Sequence, residues 1–489
     1  MENLHFLVPE LLVVALGFGV LSLDFILRPT QKAILGYFSA FGLFMVLAVL
    51  IIFFHGKSAE IYSGILVFDD YSNFFRCFFL IIGVFIVLMS RDFVSQQIDH
   101  AGEFYAIILF SLAGMSLMSA SAELLMAYIS LELLSFGLYV LVAFDRYNKE
   151  SNEAGLKLIL LGAFSSAILL FGISQIYGLL GTTMFSGIEE NLNSVVSFEP
   201  GLVIGIVLVL AGIAFKLSVI PFHMWAPDVY QGAPLPITAF IAVGSKAAVF
   251  ALALRFFSQA IIPEIDQWQF FLIVLAVLTM LGGNILALVQ QNLKRLLAYS
   301  SIGQVGYLLL GFIALASGNP EDGNIPMLVI TGVIFHLVAY TISSIGAFWS
   351  ISTIFNSTGK IDMPSLAGIS KASPFVSVVL AVSLFSLAGL PIFVGFVSKF
   401  YLFTSVAVQG FLWLAGVGIF ASLISLYYYL KVLRSVYIDE EKDSVKVHVS
   451  IIPTIFLGIL LLAMVIIGVY PSPLVELIEK ASLALISSP

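Results

Sequence analysis

Seven ionisable residues lie inside or beside long apolar segments of this 489-residue sequence. They are Glu132, Lys157, Lys216, Lys246, Lys399, His223 and His336. A charge at the centre of a membrane helix costs at least ~2.5–3.5 kcal/mol, so such a group usually forms a pair, lines a hydrated cavity or carries function. Carboxylate, imidazole and amine groups bind and release protons, whereas an ammonium group cannot coordinate a metal ion. The residue types therefore predict proton transfer in preference to sodium binding.

The composition places these residues in a membrane. Hydrophobic residues make up 60% of the chain and charged residues 10%, whereas a soluble chain carries about 25% charged residues. We therefore predict an all-α polytopic membrane protein. The single cysteine, Cys77, excludes disulfides, thiolate iron–sulfur clusters and cysteine zinc sites within the chain. The sequence has no motif for flavin, haem, nicotinamide or nucleic acid, so we expect this chain to bind no cofactor.

Fourteen segments meet the requirement of about 20 mainly apolar residues for a membrane span. The first has no basic region or cleavage site of a signal peptide, so we expect it to be retained. A short amphipathic tail follows at 474–486. The fourteen segments are 7–27, 34–54, 71–90, 104–120, 124–144, 154–180, 201–222, 237–257, 268–289, 296–316, 327–354, 375–406 (interrupted), 412–435 and 451–470.

The basic residues of the loops predict the orientation. Thirteen of the 21 lysines and arginines fall in loops on one side, among them Lys442 and Lys446, and four fall on the other side or its border. The positive-inside rule makes the first side cytoplasmic. We therefore predict a multi-pass protein of the bacterial inner (plasma) membrane with both termini on the outer, periplasmic side.

Glu132 lies in the middle of the fifth segment, within AYISLELLSFGLY. Tyr128, Glu132, Ser135 and Tyr139 share one helix face, because they are separated by three or four residues. This polar face is predicted to turn toward the interior of the bundle. Two interpretations remain open: a proton-transfer group, or a buried ion pair that only fixes helix packing.

Two lysines differ in their distance from the membrane surface. Lys246 is near the centre of the eighth segment, within AVGSKAAVFAL, and no loop is within its reach. It is either a relay group or the partner of a structural carboxylate. Lys157 lies near the inner end of the sixth segment, where a long side chain can extend to the interface.

The tenth and eleventh segments carry further polar stripes. These are Ser300, Gln304 and Tyr307 in the tenth, and His336, Tyr340 and Ser343 in the eleventh. Neutral imidazole both donates and accepts a proton near neutral pH, so this set favours a relay, with a hydrogen-bonded core histidine as the alternative. The histidines and carboxylates show no spacing typical of metal ligands.

Two prolines are predicted to break helices. Pro221, in KLSVIPFHMWAP, and Pro391, in SLAGLPIFVGFVSKF, interrupt the seventh and twelfth segments, because proline removes a backbone donor and clashes with the preceding turn. The matching AYIS (127–130) and AYSS (298–301) are also five segments apart. An odd offset inverts one unit relative to the other, and paired broken helices in inverted repeats mark transport sites.

We therefore predict two inverted five-helix repeats, made of helices 4–8 and 9–13, with helices 7 and 12 discontinuous. The predicted boundaries are 1–100 for helices 1–3, 101–260 for the first repeat, 261–440 for the second, and 441–489 for helix 14 and a short tail.

Four stretches of the sequence resemble a known family: YISLELLSFGLYVLVAFDR, FKLSVIPFHMWAPDVYQGAP, NLKRLLAYSSIGQVGY and LAGLPIFVGFVSKFYLF. Over essentially the whole chain they are similar to the antiporter-like membrane subunits of respiratory complex I, the NADH-quinone oxidoreductase, and among these to the subunit N type. The resemblance implies a translocase subunit that couples quinone reduction to proton transport and carries no redox centre. NADH, FMN, iron–sulfur clusters and quinone would be used by the parent complex. Antiporter-like subunit M and the small subunits K and J are the expected neighbours, within the lipid bilayer and without nucleic acid.

The resemblance also implies roles for individual residues. Glu132 would pair with Lys216 at the seventh-helix break, and Lys246 would connect the two halves. Lys399 would end the second half-channel on the outer side, and His336 would bridge toward it.

The auxiliary residues of this relay are Lys157, His223, Tyr128, Ser300 and Gln304. His223 would lie beside the first break. Alternatives remain open at this stage: a subunit of a multi-subunit Na+/H+ antiporter, of a membrane-bound hydrogenase or of the photosynthetic ferredoxin–plastoquinone complex, or a scaffold subunit that does not pump.

Overall fold

Long apolar runs of this sequence form helices, because only intrahelical hydrogen bonds satisfy the backbone in lipid. The computed structural model describes residues 3–28, 31–194, 200–261, 269–316, 324–439 and 449–487. Lys442 and Lys446, which contribute to the predicted orientation, lie outside the described residues. Thirteen helices in the described part are long and apolar enough to cross a membrane, and two shorter apolar helices form the interrupted twelfth segment. The predicted all-α membrane fold is confirmed.

The helices follow the predicted segments closely. In chain order they are α1 (Val8–Ile26), α2 (Ile34–Phe54), α3 (Asp70–Gln97), α4 (Ala101–Ala120), α5 (Leu124–Val142), α6 (Lys149–Leu180), α7 (Phe185–Ser194), α8 (Pro200–Leu217), α9 (Trp225–Gly232), α10 (Leu235–Phe240), α11 (Lys246–Phe256), α12 (Gln269–Leu288), α13 (Leu293–Ala316), α14 (Asn324–Thr358), α15 (Ile369–Ala372), α16 (Pro374–Ala388), α17 (Val394–Val408), α18 (Leu412–Tyr437), α19 (Ile451–Val469) and α20 (Ser472–Ser487).

A small β-hairpin was not foreseen. Strands β1 (Ala59–Ile61) and β2 (Leu66–Phe68) pair antiparallel between α2 and α3. Leu66 also forms a bridge to Ser121, which follows α4. Three-residue strands are too short to give an alternating pattern that stands out from apolar helices.

The two predicted breaks are present. In the first, α8 ends at Leu217, Ser218 has a φ of 63°, and α9 begins only at Trp225. The backbone groups freed there are satisfied by side chains, because Thr279 Oγ1 accepts from the N–H of Ile220 (3.1 Å) and Trp225 Nε1 donates to the carbonyl of Phe215 (2.9 Å).

In the second break, α16 ends before Gly389, whose φ is 84°, and α17 begins at Val394. The N–H of Gly395 donates to Ser386 Oγ at 3.1 Å, which joins the two half-helices. The breaks lie five segments apart, as the predicted repeats require. The inverted relation of the repeats and their boundaries stay predictions.

A third irregularity lies in the eighth segment, which contains no proline. Between α10 and α11, residues Ile241–Ser245 form a π-helical turn that ends immediately before Lys246. A second π-helical turn, Phe257–Ile261, follows α11. Such turns widen the helix locally and occur often at functional sites.

Two buried arginines link the helices near the predicted outer side, and neither pairing was foreseen. Arg76 forms a bidentate pair with Glu10 at 2.8 and 2.7 Å. Arg255 donates to both carboxylate oxygens of Asp69 at 2.9 Å. Because loss of one partner leaves the other charge buried, these pairs fix α1 and α11 against α3 and its N-cap.

The close approach of the two half-helices at the second break generates a prediction for Gly395→Ala. A Cβ at this position would lie 1.8 Å from the carbonyl oxygen of Ser386, so we expect the half-helices to separate at a cost of about 1–3 kcal/mol. Thermal unfolding of the purified complex measures the effect. Gly416→Ala is the matched control, because nothing lies within 4 Å of a Cβ there. Equal stability of the two variants would contradict the described packing.

Candidate functional site

The first buried cluster joins α5, α6 and α8 around a carboxylate and an ammonium group. Lys216 Nζ lies 3.5 Å from Glu132 Oε1, and the two side chains are 10% and 13% exposed. Ser166 Oγ donates to the same Glu132 oxygen at 2.6 Å. Lys216 also donates to Ser135 Oγ at 2.7 Å and lies 3.5 Å from Tyr139 Oη. The structure therefore brings the predicted pair together on the predicted polar face of α5.

The first break positions this lysine. Lys216 occupies the last turn of α8, where the carbonyl end of a helix favours a positive charge. The turn cannot continue because Ser218 adopts a left-handed conformation and Pro221 follows. The indole of Trp225, from the start of α9, donates to the carbonyl of Phe215 and keeps the broken end in place.

Lys246 has a different kind of partner. Its side chain is 2% exposed, and Nζ donates to Ser301 Oγ at 2.5 Å. Ser301 Oγ in turn lies 3.1 Å from Tyr230 Oη, on α9. No carboxylate oxygen of the described residues lies within 4.0 Å of Lys246 Nζ, so the alternative of a structural ion pair is not seen there. The adjacent π-helical turn presents this lysine to α13.

His336 connects three helices through both ring nitrogens. Nε2 lies 3.1 Å from Gln304 Oε1, and Nδ1 lies 3.0 Å from Ser398 Oγ. The amide of Gln304 donates to the carbonyl of Leu387 at 3.2 Å, so its oxygen faces the imidazole and Nε2 carries a hydrogen.

The other nitrogen of His336 has two possible states. Ser398 Oγ also lies 3.0 Å from the carbonyl of Gly395. When the ring is neutral, the Ser398 hydroxyl donates to Nδ1. When the ring is protonated, Nδ1 donates to Ser398 and the hydroxyl turns to the carbonyl of Gly395. In both states, His336 Nδ1 and Ser398 Oγ remain hydrogen-bonded to each other.

Lys399 binds the broken end of α16 and no carboxylate of the described residues. Its Nζ donates to the carbonyls of Leu387 (2.9 Å) and Ala388 (3.1 Å) and to Ser422 Oγ (3.0 Å). These carbonyls are freed by the break, and they carry the negative end of the helix dipole. The side chain passes Gly389, where a Cβ would lie 3.0 Å from Lys399 Cδ.

A hydrogen-bonded chain extends from Lys399 toward α12. Ser422 Oγ lies 3.3 Å from Tyr307 Oη, which accepts from Asn284 Nδ2 at 3.3 Å. Tyr428 Oη then donates to Asn284 Oδ1 at 2.9 Å. The ring of Tyr307 also lies beneath the ammonium group of Lys399, 4.7 Å from its centroid. Polar groups thus continue from the second break into the core of the second half.

The predicted auxiliary residues are only partly brought together. Gln304 contacts His336, whereas Ser300 bonds to Tyr429 on α18. Tyr128 is half-buried on α5 and makes no side-chain hydrogen bond to Glu132. His223 lies in the first break, and its buried Nδ1 has no hydrogen-bond partner among the described residues.

Lys157 belongs to a surface network. Its Nζ lies 2.8 Å from Glu153 and 2.7 Å from Asp228. Asp228 also pairs with Arg295 at 2.6 Å. Lys157 is 40% exposed, which agrees with the interpretation of a side chain that extends to the interface.

Several hydroxyl groups of this site were not predicted from the sequence. They are Ser166, Tyr230, Ser301, Ser398 and Ser422. Most of these contacts join different helices, which the spacing within one helix cannot reveal. Serine is also common in membrane helices, where it bonds to its own backbone. No group of three or more His, Cys, Asp and Glu side chains in the described ranges could hold a metal ion.

Comparison with known proteins gives the same fold and a family match. Residues 121–425 match the family model described as NADH:quinone oxidoreductase/Mrp antiporter, TM. The chain is 38% identical to NADH-quinone oxidoreductase subunit N of Desulforamulus reducens over 480 residues, which cover 98% of each chain.

Two solved structures are similar over nearly the full length. A chain of respiratory complex I from Thermus thermophilus with bound aureothin superposes with a TM-score of 0.78 at 27% identity, covering 96% of this chain and 98% of that one. A chain of the Mrp complex from Dietzia sp. gives a TM-score of 0.83 at 19% identity, covering 98% of each. The second likeness shows the fold alone.

The placement of Lys157 generates a prediction about stability. We expect Lys157→Gln to lower the free energy of unfolding by no more than about 1 kcal/mol, because exposed ion pairs contribute little. Arg76→Gln is the contrasting variant, because it leaves Glu10 buried without its cation, at a cost of about 3–5 kcal/mol. Denaturant unfolding of the purified complex measures both. A loss as large for Lys157→Gln as for Arg76→Gln would remove Lys157 from the surface network.

Proposed function

Because the chain belongs to the subunit N family of NADH-quinone oxidoreductase, an antiporter-like family of membrane translocase subunits, we propose that it carries protons through a relay of Glu132, Lys216, Lys246, His336 and Lys399. The observation that carries this proposal is the burial of three lysines, each held by a partner that can exchange or accept a hydrogen. The two helix breaks lie at the first and last of these lysines. The protonated amines of this set cannot coordinate a sodium ion, which favours the proton as the transported cation.

The first step takes place at the pair of Glu132 and Lys216. At 3.5 Å the carboxylate stabilises the charged ammonium group, and Ser135 and Ser166 hold the two groups. If the carboxylate moves away from Lys216, the buried ammonium group loses most of its compensation and releases its proton. At an effective dielectric constant of about 20, lengthening this distance by about one ångström weakens the attraction by about 1 kcal/mol, which favours release of the proton.

The second step passes through the middle of the chain. Lys246 exchanges its proton with Ser301 and Tyr230, whose hydroxyls both donate and accept. Tyr230 belongs to α9, which follows the first break, and Ser301 belongs to α13 of the second half. The hydroxyl pair thus links the two halves of the molecule at the central lysine.

The last step takes place at the second break. Leu387 accepts both from Gln304, the partner of His336, and from Lys399. The carbonyl of Leu387 therefore connects Lys399, which donates to it directly, with His336, whose partner Gln304 donates to it. A proton that arrives on His336 reverses the Ser398 hydrogen bond and turns the hydroxyl toward the carbonyl of Gly395, in the first turn of α17, the helix that carries Lys399.

The subunit would work within a larger assembly in the bacterial inner membrane. Its family implies that NADH, FMN, iron–sulfur clusters and quinone belong to the parent complex, and that the antiporter-like subunit M and small subunits K and J are neighbours. Both termini would lie on the periplasmic side. The relay would then respond to charge changes that quinone reduction sets up elsewhere in the complex.

The central prediction concerns Lys216→Ala in the assembled complex. We expect proton pumping per quinone reduced to fall roughly tenfold or more, because a proton-transfer group commonly contributes a factor of about 10²–10⁴. Pumping into sealed vesicles and quinone reductase activity are measured together. Lys360→Ala, in an exposed loop, is the control of equal charge change.

Two outcomes of that experiment decide between the interpretations. Impaired assembly of Lys216→Ala and of Glu132→Ala, with normal pumping in whatever complex forms, would leave these residues with a scaffold role only, whereas retained assembly with lost pumping would exclude that role. Unchanged pumping and unchanged quinone reductase activity would contradict the relay altogether.

A separate prediction concerns Ser398→Ala, which removes the hydroxyl that faces His336 Nδ1. We expect pumping to fall roughly tenfold while the complex still assembles, because the imidazole loses the partner that can both donate and accept. Ser405→Ala is the matched control, because Ser405 is also buried on α17 and, among the described residues, its hydroxyl bonds only to the carbonyl of Leu402. Equal pumping by the two variants would rule out the hydrogen-bond reversal.

A further inference from the structure

A groove outside the relay opens between α16 and α18. It has a volume of about 630 Å3 and extends from the predicted cytoplasmic end of α18 to Phe385 and Ala381, halfway along α16. Its walls are mainly apolar and aromatic. This volume is within the range of roughly 300–1,000 Å3 that small-molecule sites have.

The polar groups of the groove are collected at one end. Lys431 and Arg434 lie three residues apart on α18, on the same helix face, and both line the groove. Tyr427 and Tyr437 lie one turn before and after this pair and are 65% and 47% exposed. Lys431 makes no ion pair with the described residues, and among these residues Arg434 pairs with Asp439, at 3.4 Å through its Nε. None of the described residues that line the groove is a carboxylate.

We propose that this groove binds an anionic phospholipid of the cytoplasmic leaflet. The phosphate would lie between Lys431 and Arg434, and one acyl chain would descend past Tyr427 toward Phe385. Basic pockets between membrane helices on the cytoplasmic side suit anionic head groups. Exposed tyrosines at the same depth are typical of the membrane interface.

The arrangement of charge favours a lipid over a neighbouring protein chain. A protein partner would need a carboxylate opposite each basic residue at the rim and an apolar side chain in the groove. A phospholipid supplies both from one molecule, with the negative charge at the interface and the chain below it. The groove is apolar along the membrane depth and basic only at its end, which is the same distribution.

The test uses the purified, delipidated complex that contains this chain, titrated with phosphatidylglycerol and followed by native mass spectrometry. The variant is Lys431→Gln combined with Arg434→Gln. We expect its apparent affinity for phosphatidylglycerol to fall roughly fivefold for each basic residue removed, while weak binding of phosphatidylcholine stays unchanged. Ala381→Phe, which fills the groove without a change of charge, is expected to lower the affinity for both lipids.

The matched control is Lys360→Gln combined with Lys371→Gln, which removes two positive charges from the same side outside the groove. An equal loss of affinity in the control variant would show that the effect is a general electrostatic attraction to the protein surface, and it would overturn the proposal. Equal competition by inorganic phosphate would show an anion site without a lipid, and an unchanged affinity of both groove variants would exclude the site. A cross-link from the groove to a neighbouring subunit would assign it to a protein interface. Quinone reductase activity and subunit content check assembly, and they separate these outcomes from a failure of the relay.

Discussion

A protonated amine inside a membrane needs compensation for the water it has lost, and this requirement organises the chain. Each of the three central lysines satisfies it in a different way. Lys216 faces a carboxylate, Lys246 faces a hydroxyl pair, and Lys399 faces the carbonyl end of a broken helix. The partner of Lys216 is charged, whereas the partners of Lys246 and Lys399 are neutral, so the three positions are not equivalent. A path made of unequal positions can be switched by the movement of one partner, whereas three identical ion pairs would hold every proton in place.

The helix breaks supply part of this compensation, and they do so differently in the two halves. In the first, the lysine precedes the proline and lies at the end of its own half-helix, so its main partners come from α5. In the second, Lys399 follows Pro391 by eight residues and returns across the break to the carbonyls of α16. A break in a membrane helix is tolerated only where its freed backbone groups find partners. The second break therefore needs its lysine, whereas the first is closed by Thr279 and Trp225 and leaves Lys216 available to the glutamate.

The features that have a strong local signal could be predicted from the sequence. Long apolar runs predicted the helices, proline predicted both breaks, and spacing on α5 placed Glu132 on a face with Ser135. Sequence reasoning missed contacts that depend on which helices become neighbours, such as Ser301 beside Lys246 and Ser398 beside His336. It also missed the π-helical turn before Lys246, because the turn contains no proline and its one glycine, Gly244, is common in membrane helices. Glu10 and Arg76 were missed because each lies near the end of a predicted segment, where a charged side chain is expected to be in contact with water.

The second break also offers a route by which a distant signal could reach Lys399, which has no charged partner among the described residues. Leu387 accepts from Gln304 and from Lys399, and Gln304 fixes the orientation of His336. A carbonyl with two donors divides its negative potential between them, so a stronger bond to the amide weakens the hold on the ammonium group. Protonation of His336 draws the amide oxygen closer and polarises its N–H toward Leu387. In the proposed relay, the lysine then loses part of the compensation that the carbonyls of Leu387 and Ala388 and the Ser422 hydroxyl supply, and this release, like that from Lys246, requires no motion of a carboxylate.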